Sequence, residues 1–429
     1  MGFEFNSKKS LQERAFLVGI RLPTSTLVKE REYLDELEQL AKTAGAKVVG
    51  KTIQGRTRID GATYIGPGKA GALKEECAQV GANLVVIDGD LSPVQARNLQ
   101  QILDLNVIDR TELILDIFAR HAKSRQAKIQ VELAQLTYSL PRLRKLWVHL
   151  SRQAGGIGIR GPGETQLEVD RRRVDQRIGW LKKQLEKIGQ RRQTLRLSRS
   201  NRTTVAIVGY TNAGKSTLLN ALAGTDTLVA DKLFATLDTL TRRMPSSNHI
   251  PIYLVDTIGF IRKLPHHLVE SFKATLDDIA EARLYLHLID LSHPAYQEQM
   301  AVVNNTLRGI DNPSVETLLV FNKIDQVEEQ FLETIKKRYP RAVFISATRR
   351  EGVEEVKRTI EQFFNENNIR VEVEIPAGDG KNIARVGSLL HNMVKSYRGD
   401  QCVIKGTVDR RMMSSLEQIS GAKVRFLLS

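Results

Sequence analysis

The chain has 429 residues, 41% of them hydrophobic, which suits two to four domains with real cores. Its longest apolar run, around Leu284–Leu291, is far too short to span a bilayer, and its two cysteines, Cys77 and Cys402, lie too far apart in sequence to suggest a disulfide framework. The net charge of +15 sits almost wholly in one segment: residues 120–200 carry +14, against −1 for 1–119, −1 for 201–365 and +3 for 366–429.

The opening "MGFEFNSKKS" has no signal-peptide core, and Asn6 stands where myristoylation needs Ser or Thr. A cytoplasmic location without stable membrane insertion is therefore expected, with peripheral membrane association left open; the protein is also expected to be a monomer. Residues 1–122 alternate short apolar runs with amphipathic stretches. "AFLVGIRL", "AKVVGKTI", "NLVVID" and "NVIDR" read as strands. Val28–Ala44, Ala70–Val80 and Val94–Leu103 read as the helices between them, giving an α/β unit with a mostly parallel sheet. Within it, "YIGPGKAGAL" has glycines and Lys69 before a helix, but neither P-loop nor dinucleotide spacing.

Residues 123–200 carry two apolar stripes of alternating three- and four-residue spacing. Ile129, Leu133, Leu136, Leu140 and Leu143 form the first, and Val174, Ile178, Leu181, Leu185 and Ile188 the second. They predict an antiparallel helical hairpin, kinked or restarted at Pro141. The glycine-rich stretch Gly155–Glu168 would be the loop at its tip. Such a concentration of positive charge is the footprint of a polyanion binder. Arg152 and Arg160 supply charge at the loop, and Arg171, Arg172, Arg173, Arg177, Lys182 and Lys183 are candidates to track RNA phosphates. The competing reading folds the loop back on the α/β unit, its glycines serving close packing.

Residues 201–365 read as a second α/β domain. "VAIVGYTNAGKST" is a strand followed by G-x-x-x-x-G-K-S and a helix, a P-loop in its required context. Gly209, Tyr210, Thr211, Asn212, Ala213, Gly214, Lys215, Ser216 and Thr217 would wrap the phosphates. Lys215 would reach the β- and γ-phosphates, and Ser216 would ligate Mg²⁺. "IYLVDTIGF" ends in D-x-x-G, with Asp256, Thr257, Ile258 and Gly259 as switch II; Asp256 would hold Mg²⁺ through water. "LLVFNKID" ends in N-K-x-D, with Asn322, Lys323 and Asp325. The Asp325 carboxylate can accept two N–H groups from guanine that adenine lacks, so GTP is favoured. Ser346, Ala347 and Thr348 of "VFISAT" would complete the base pocket. Between P-loop and D-x-x-G lies "LFATLDTLTRR". Its Phe234, Ala235, Thr236, Leu237 and Asp238 are the switch I candidates, and Thr236, Thr239 and Thr241 compete to close on Mg²⁺. Phe260 stands where many GTPases carry a water-orienting Gln. It implies slow hydrolysis completed by a partner, or it simply covers the site. Asn212 is either a K⁺ ligand or a loop-stabilising amide. Residues 366–429 read strand, helix (Ile383–Tyr397), strand, helix, strand, a small ferredoxin-like α/β domain.

"GYTNAGKST", "LFATLDTLTRR", "DTIGFIRKLPHHLVESFKATL", "NKID" and above all "GGIGIRGPGETQLEVDRRR" together resemble the HflX family, in the Obg–HflX group of P-loop GTPases. The resemblance favours Thr236 for switch I, although "DTLTRR" stands where a proline-containing variant is expected. It implies binding to GTP and GDP and to the ribosome, mainly large-subunit rRNA. It also implies dissociation of stalled or idle ribosomes into subunits; ordering of the switch loops on the γ-phosphate would tie this to the GTP state, and Phe260 makes the ribosome the expected stimulator of hydrolysis. Adenine-nucleotide and RNA-remodelling activities are ascribed to the family's N-terminal domain. The alternative is a GTP-regulated ribosome-binding switch in subunit assembly, without splitting. A tRNA-modifying GTPase would carry a cysteine near its C-terminus, whereas this chain ends "KVRFLLS".

Overall fold

A computed structural model describes the chain except residues 1–11, 154–161, 198–202, 226–232, 235–239, 247–250, 264–278, 280–281, 310–314 and 428–429. Three sheets organise it, and the chain divides into two compact units. The first holds residues 1–187 with 230–238 and 263–273, the second 188–229, 239–262 and 274–429.

In the first unit, β1 (Arg14–Arg21), β2 (Lys47–Gly55), β3 (Leu84–Ile87) and β4 (Asn106–Asp109) form a parallel sheet in the order β2-β1-β3-β4. Continuous burial along the middle of β1 and throughout β3 is what a sheet covered on both faces requires. Helices α1 (Leu27–Thr43), α2 (Pro67–Val80) and α3 (Pro93–Leu103) connect the strands. Local chemistry sets their ends. Pro67 opens α2 and Gly81, at φ 63°, closes it, while Ser92 and Gln95 form a capping box on α3. A further helix, α4 (Arg110–His121), was not anticipated, although Leu113, Ile114, Ile117 and Phe118 mark its buried face.

The hairpin helices are α5 (Arg125–Gln153) and α6 (Pro162–Leu197). Two expectations change here. Helix α5 continues through Pro141 rather than restarting. The ring costs one backbone hydrogen bond, and the flanking Tyr138 and Arg142 are both tied to Asp109. The expected loop Gly155–Glu168 is helical from Pro162, which has the fixed φ suited to a first helical position. Its glycine-rich part, 154–161, lies outside the described residues. Across the hairpin the Arg177 guanidinium donates to both Glu132 carboxylate oxygens at 2.7 and 2.9 Å.

In the second unit a six-stranded sheet runs β10-β9-β8-β5-β7-β6. Its strands are β5 (Thr203–Gly209), β6 (Leu240–Met244), β7 (Ile252–Asp256), β8 (Leu284–Asp290), β9 (Glu316–Asn322) and β10 (Val343–Phe344), with only β6 antiparallel. Helix α7 (Lys215–Ala223) follows the P-loop; α8 (Tyr296–Arg308), α9 (Glu329–Arg338) and α10 (Val353–Asn367) come later. The C-terminal sheet comprises β11 (Asn368–Pro376), β12 (His391–Arg398), β13 (Gln401–Asp409) and β14 (Lys423–Phe426), in the antiparallel order β12-β13-β11-β14. Helices α11 (Gly380–Leu389) and α12 (Met413–Glu417) complete a βαββαβ sequence, which is ferredoxin-like. The expected helix Ile383–Tyr397 is therefore corrected. It ends at Leu389, and β12 takes the rest, turning through Gly399–Asp400 into β13. That Gly-Asp pair is the hairpin signal the helical reading passed over.

Candidate nucleotide-binding site

Strands β5, β7 and β9 all deliver their C-terminal ends to one edge of the six-stranded sheet, the edge where parallel α/β folds bind ligands. The P-loop leaves β5 there. Gly214 has φ 94°, and a Cβ on it would lie 2.4 Å from the Asn322 amide nitrogen, so both conformation and space demand glycine. Asn212 adopts φ 62° and is exposed. Lys215 is buried, its Nζ donating to the carbonyls of Tyr210 at 2.7 Å and Gly209 at 3.2 Å. Burial pushes its ammonium down to about 8, with the Asp256 charge opposing.

The D-x-x-G turn locks against the same loop. Ser216 Oγ donates to an Asp256 carboxylate oxygen at 2.7 Å, which brings together two hard oxygen donors of the kind Mg²⁺ takes. Thr257 is wholly buried and donates to the Ile207 carbonyl at 2.8 Å. Gly259 has no room for a side chain, since a Cβ would meet Thr211 Cα at 2.8 Å. The Phe260 N–H donates to the Gly209 carbonyl at 3.1 Å, and the Phe260 carbonyl accepts from Thr211 N–H at 2.7 Å. Phe260 is itself buried, so its ring is packed into the fold beside the P-loop rather than offered to solvent.

On the far side of the edge, Asn322 is 3% exposed and makes two opposite contacts. Its Nδ2 donates to the Ala213 carbonyl at 2.8 Å, and its Oδ1 accepts from the Ala347 N–H at 2.9 Å. One side chain thus joins the P-loop to the segment Ser346–Thr348. Lys323, at φ 64°, pairs with Asp290 at 2.6 Å. Asp325 is half-buried with the Arg349 guanidinium at 3.7 Å.

The P-loop, the D-x-x-G, the N-K-x-D and the segment Ser346–Thr348 are therefore assembled on one edge. Of switch I only Phe234 is described. It is 2% exposed and packs edge-on against Phe118 at 4.8 Å within the first unit. Ala235, Thr236, Leu237, Asp238 and the rival Thr239 lie outside the described residues; Thr241 is exposed on β6. Among the RNA candidates, Arg171, Arg172, Arg173, Lys182 and Lys183 are exposed on α6. Arg171 lies 3.6 Å from Asp175, and Arg177 is engaged by Glu132 and stacked over Trp180 at 4.5 Å. Arg152 lies on α5 but its side chain is outside the described ones, as is all of Arg160. In "YIGPGKAGAL", Lys69 pairs with Glu76 at 2.6 Å.

Residues unremarked in the sequence form a second polar centre, at the C-terminal edge of the first sheet. The Asp109 carboxylate accepts from the backbone N–H groups of Glu112 (2.9 Å) and Leu91 (3.0 Å), from Arg142 (2.7 Å) and from the Tyr138 hydroxyl. Burial, then the Asp109 charge, pushes Glu112 up to about 7. Burial pushes Asp116 up to about 6. The "DR" ending β4 was the available signal, since an aspartate there both caps the next helix and closes the strand.

Comparison with known proteins agrees along the chain. Residues 31–119 match the GTP-binding GTPase N-terminal family, 121–199 the GTP-binding GTPase middle region and 204–323 the 50S ribosome-binding GTPases. The chain is 43% identical over 414 residues to a GTPase HflX of Lacrimispora saccharolytica, covering 95% of this chain and 96% of that protein. It is 43% identical over 379 residues to one of Flavobacterium psychrophilum, covering 83% and 92%. A GTP-binding protein from the hyperthermophilic archaeon Sulfolobus solfataricus, solved in complex with GDP, is similar at 25% identity and a TM-score of 0.45 over 83% of this chain and 99% of that one. With such identity over nearly its whole length, and with the nucleotide motifs assembled on one sheet edge, the chain belongs to the HflX family of GTPases.

Proposed function

We propose that this GTPase binds the large ribosomal subunit and, in its GTP state, separates stalled or idle ribosomes into subunits in the cytoplasm. The observation that carries the reading is that one chain holds the P-loop, D-x-x-G and N-K-x-D motifs on one sheet edge and also a helix, α6, that displays exposed arginines and lysines. Gly209–Thr217 wrap the phosphates, and Lys215 turns from the loop carbonyls to the β- and γ-phosphates. Ser216 and Thr236, with Asp256 through water, would hold Mg²⁺, which would neutralise phosphate charge there. Asp325 reads guanine, beside Asn322, Lys323 and Ser346–Thr348. Arg171, Arg172, Arg173, Lys182 and Lys183 contact rRNA through phosphates. Asn212 is the residue on which a K⁺ requirement would rest, and hydrolysis in K⁺ against Na⁺ buffers measures it. With Phe260 in place of a water-orienting side chain, hydrolysis by the free protein is slow and large subunits accelerate it.

Sucrose gradients of intact ribosomes with the protein and GTP, a non-hydrolysable analogue or GDP test the reading. Separation into subunits with the first two and not with GDP supports it. Binding without separation under any nucleotide leaves only the assembly switch. Equal turnover with and without saturating large subunits would remove the partner-completed site.

A further inference from the structure

The C-terminal sheet has two unlike faces. One carries Val371, Val373, Ile375, Cys402, Ile404 and Val408 in a core shared with α11 and α12. Register fixes what stands on the other. Arg370 lies across from Thr407 and Glu372 across from Lys405, while Arg425 and Lys423 pair with Glu372 and Glu374 from β14. Arg398 pairs with Gln401, two positions before Val403 and so on the same side. Arg370, Arg398, Lys405, Lys423 and Arg425 are all exposed, and together they come from all four strands.

Two carboxylates answer these five cations. Glu372 takes Lys405 at 2.9 Å, and Glu374 takes Arg425 at 3.5 Å. The hydrogen bond from Lys405 holds the Glu372 carboxyl below its ordinary range, and the charges of Arg398 and Arg425 add to this. Among the described residues Arg370, Arg398 and Lys423 have no ion pair on this face. Protection of sheet edges against aggregation accounts for cations on β12 and β14. It does not account for Arg370 and Lys405, which stand on the inner strands β11 and β13.

Among the described residues the face also lacks aromatic side chains. Tyr397 and Phe426 are exposed, but they register with Cys402 and Val371 on the helix-covered side. Without stacking platforms a single strand has little to hold its bases. An acidic protein segment would want a central apolar anchor, and a membrane would want a cluster of them. The face offers Val394, 65% exposed on β12, and Leu427, 37% exposed just past β14, at opposite edges of the sheet, while Val403 between them is buried. Spread cations without stacking match the phosphate backbone of a duplex, read by charge and shape.

We propose that this face of the C-terminal sheet is a second RNA-binding surface, which takes the backbone of an RNA duplex through Arg370, Arg398 and Lys423. The inference deepens the ribosome reading by naming a further RNA contact, yet duplex binding does not require that ribosomes be split. The test uses the full chain and a short fluorescent RNA duplex of arbitrary sequence, titrated over a KCl series. The triple variant Arg370→Gln, Arg398→Gln, Lys423→Gln should flatten the slope of log affinity against log salt by about two to three. The same flattening should recur when Arg171–Arg173 are already alanine, so that the hairpin cannot mask it. Glu374→Gln removes a carboxylate from the face and should tighten duplex binding several-fold; should the triple variant fail to fold, this arm decides. GTP affinity and melting temperature check the fold. A triple variant with the parent's slope, or a Glu374→Gln variant with the parent's affinity, overturns the proposal. So does a loss seen on large subunits but not on the duplex, which would place a protein there. Wild-type protein that binds the duplex as expected but never splits ribosomes would sink the proposed function and leave this surface standing.

Discussion

Asn322 carries no charge and contacts no phosphate in the motif-based reading, yet it closes the nucleotide edge. Its amide satisfies the Ala213 carbonyl and the Ala347 N–H at once. Asn322→Ala should leave both groups buried without partners, at about 1–3 kcal/mol each. The expected outcome is a large loss of GTP affinity by calorimetry together with a lower melting temperature, and retention of both would show that the bridge is dispensable. Glu112 makes a different kind of prediction. Its carboxyl, raised to about 7 by burial and the Asp109 charge, stays protonated in the folded protein where the unfolded chain would ionise it. The folded state binds more protons there, so stability is greatest at low pH and is lost as pH rises from the ordinary carboxyl range through about 7. Glu112→Gln should remove this component, which is on the order of 3 kcal/mol for a shift of that size. Melts at pH 5.5 and pH 8 would converge in the variant relative to wild type; an unchanged difference would mean Glu112 ionises freely.

Elements were legible where their cause is local and obscured where it is not. The strands and helices of residues 14–103 lie within a few residues of their sequence-based bounds, because burial period and capping residues are written in the segments themselves. The helical reading of Ile383–Tyr397 failed because Met393, Val394 and Tyr397 mimic a helical stripe. Their partners are in β13, where only long-range pairing fixes them. The P-loop, D-x-x-G and N-K-x-D are visible as motifs because each is local in sequence, whereas the Asn322 bridge spans 109 residues of sequence to Ala213 and had no local sign. Helix α5 shows the same division. Its apolar stripe was visible, but its anchorage on Asp109 through Tyr138 and Arg142 was not. Asp109→Ala should uncap α4 and release α5 together, so hydrogen exchange should accelerate in both Arg110–His121 and the first half of α5. Tyr138→Phe, which keeps the cap, should affect α5 alone. Faster exchange in α4 only would mean that packing, and not this carboxylate, holds the hairpin's first helix.

At the scale of the molecule, charge and chemistry occupy different parts of one chain. The nucleotide edge lies in the second unit, while α6 from Pro162 to Lys187, with its exposed cations, belongs to the first. If the proposed function holds, these parts should fail separately. Arg171–Arg173→Ala should lower ribosome affinity and flatten its salt dependence by about two to three, while GTP affinity stays that of wild type. Lys215→Ala should do the reverse. Lys215 is buried in the P-loop at the start of α7, in the second unit, so its loss removes phosphate contacts and leaves the basic helix of the first unit intact. Such a protein should still associate with large subunits at low salt but lose the nucleotide-dependent step. What that step needs follows from the switches. A γ-phosphate orders switch loops by being present, through contacts that hydrolysis later removes. The work of separating subunits should therefore be done by the bound GTP state, with hydrolysis serving release. Ribosomes mixed with wild-type protein and a non-hydrolysable analogue should separate to the same extent as with GTP, while the protein stays on the large subunit longer. Separation that appears only with hydrolysable GTP would instead require the energy of the chemical step, and the binding-driven account would have to be abandoned.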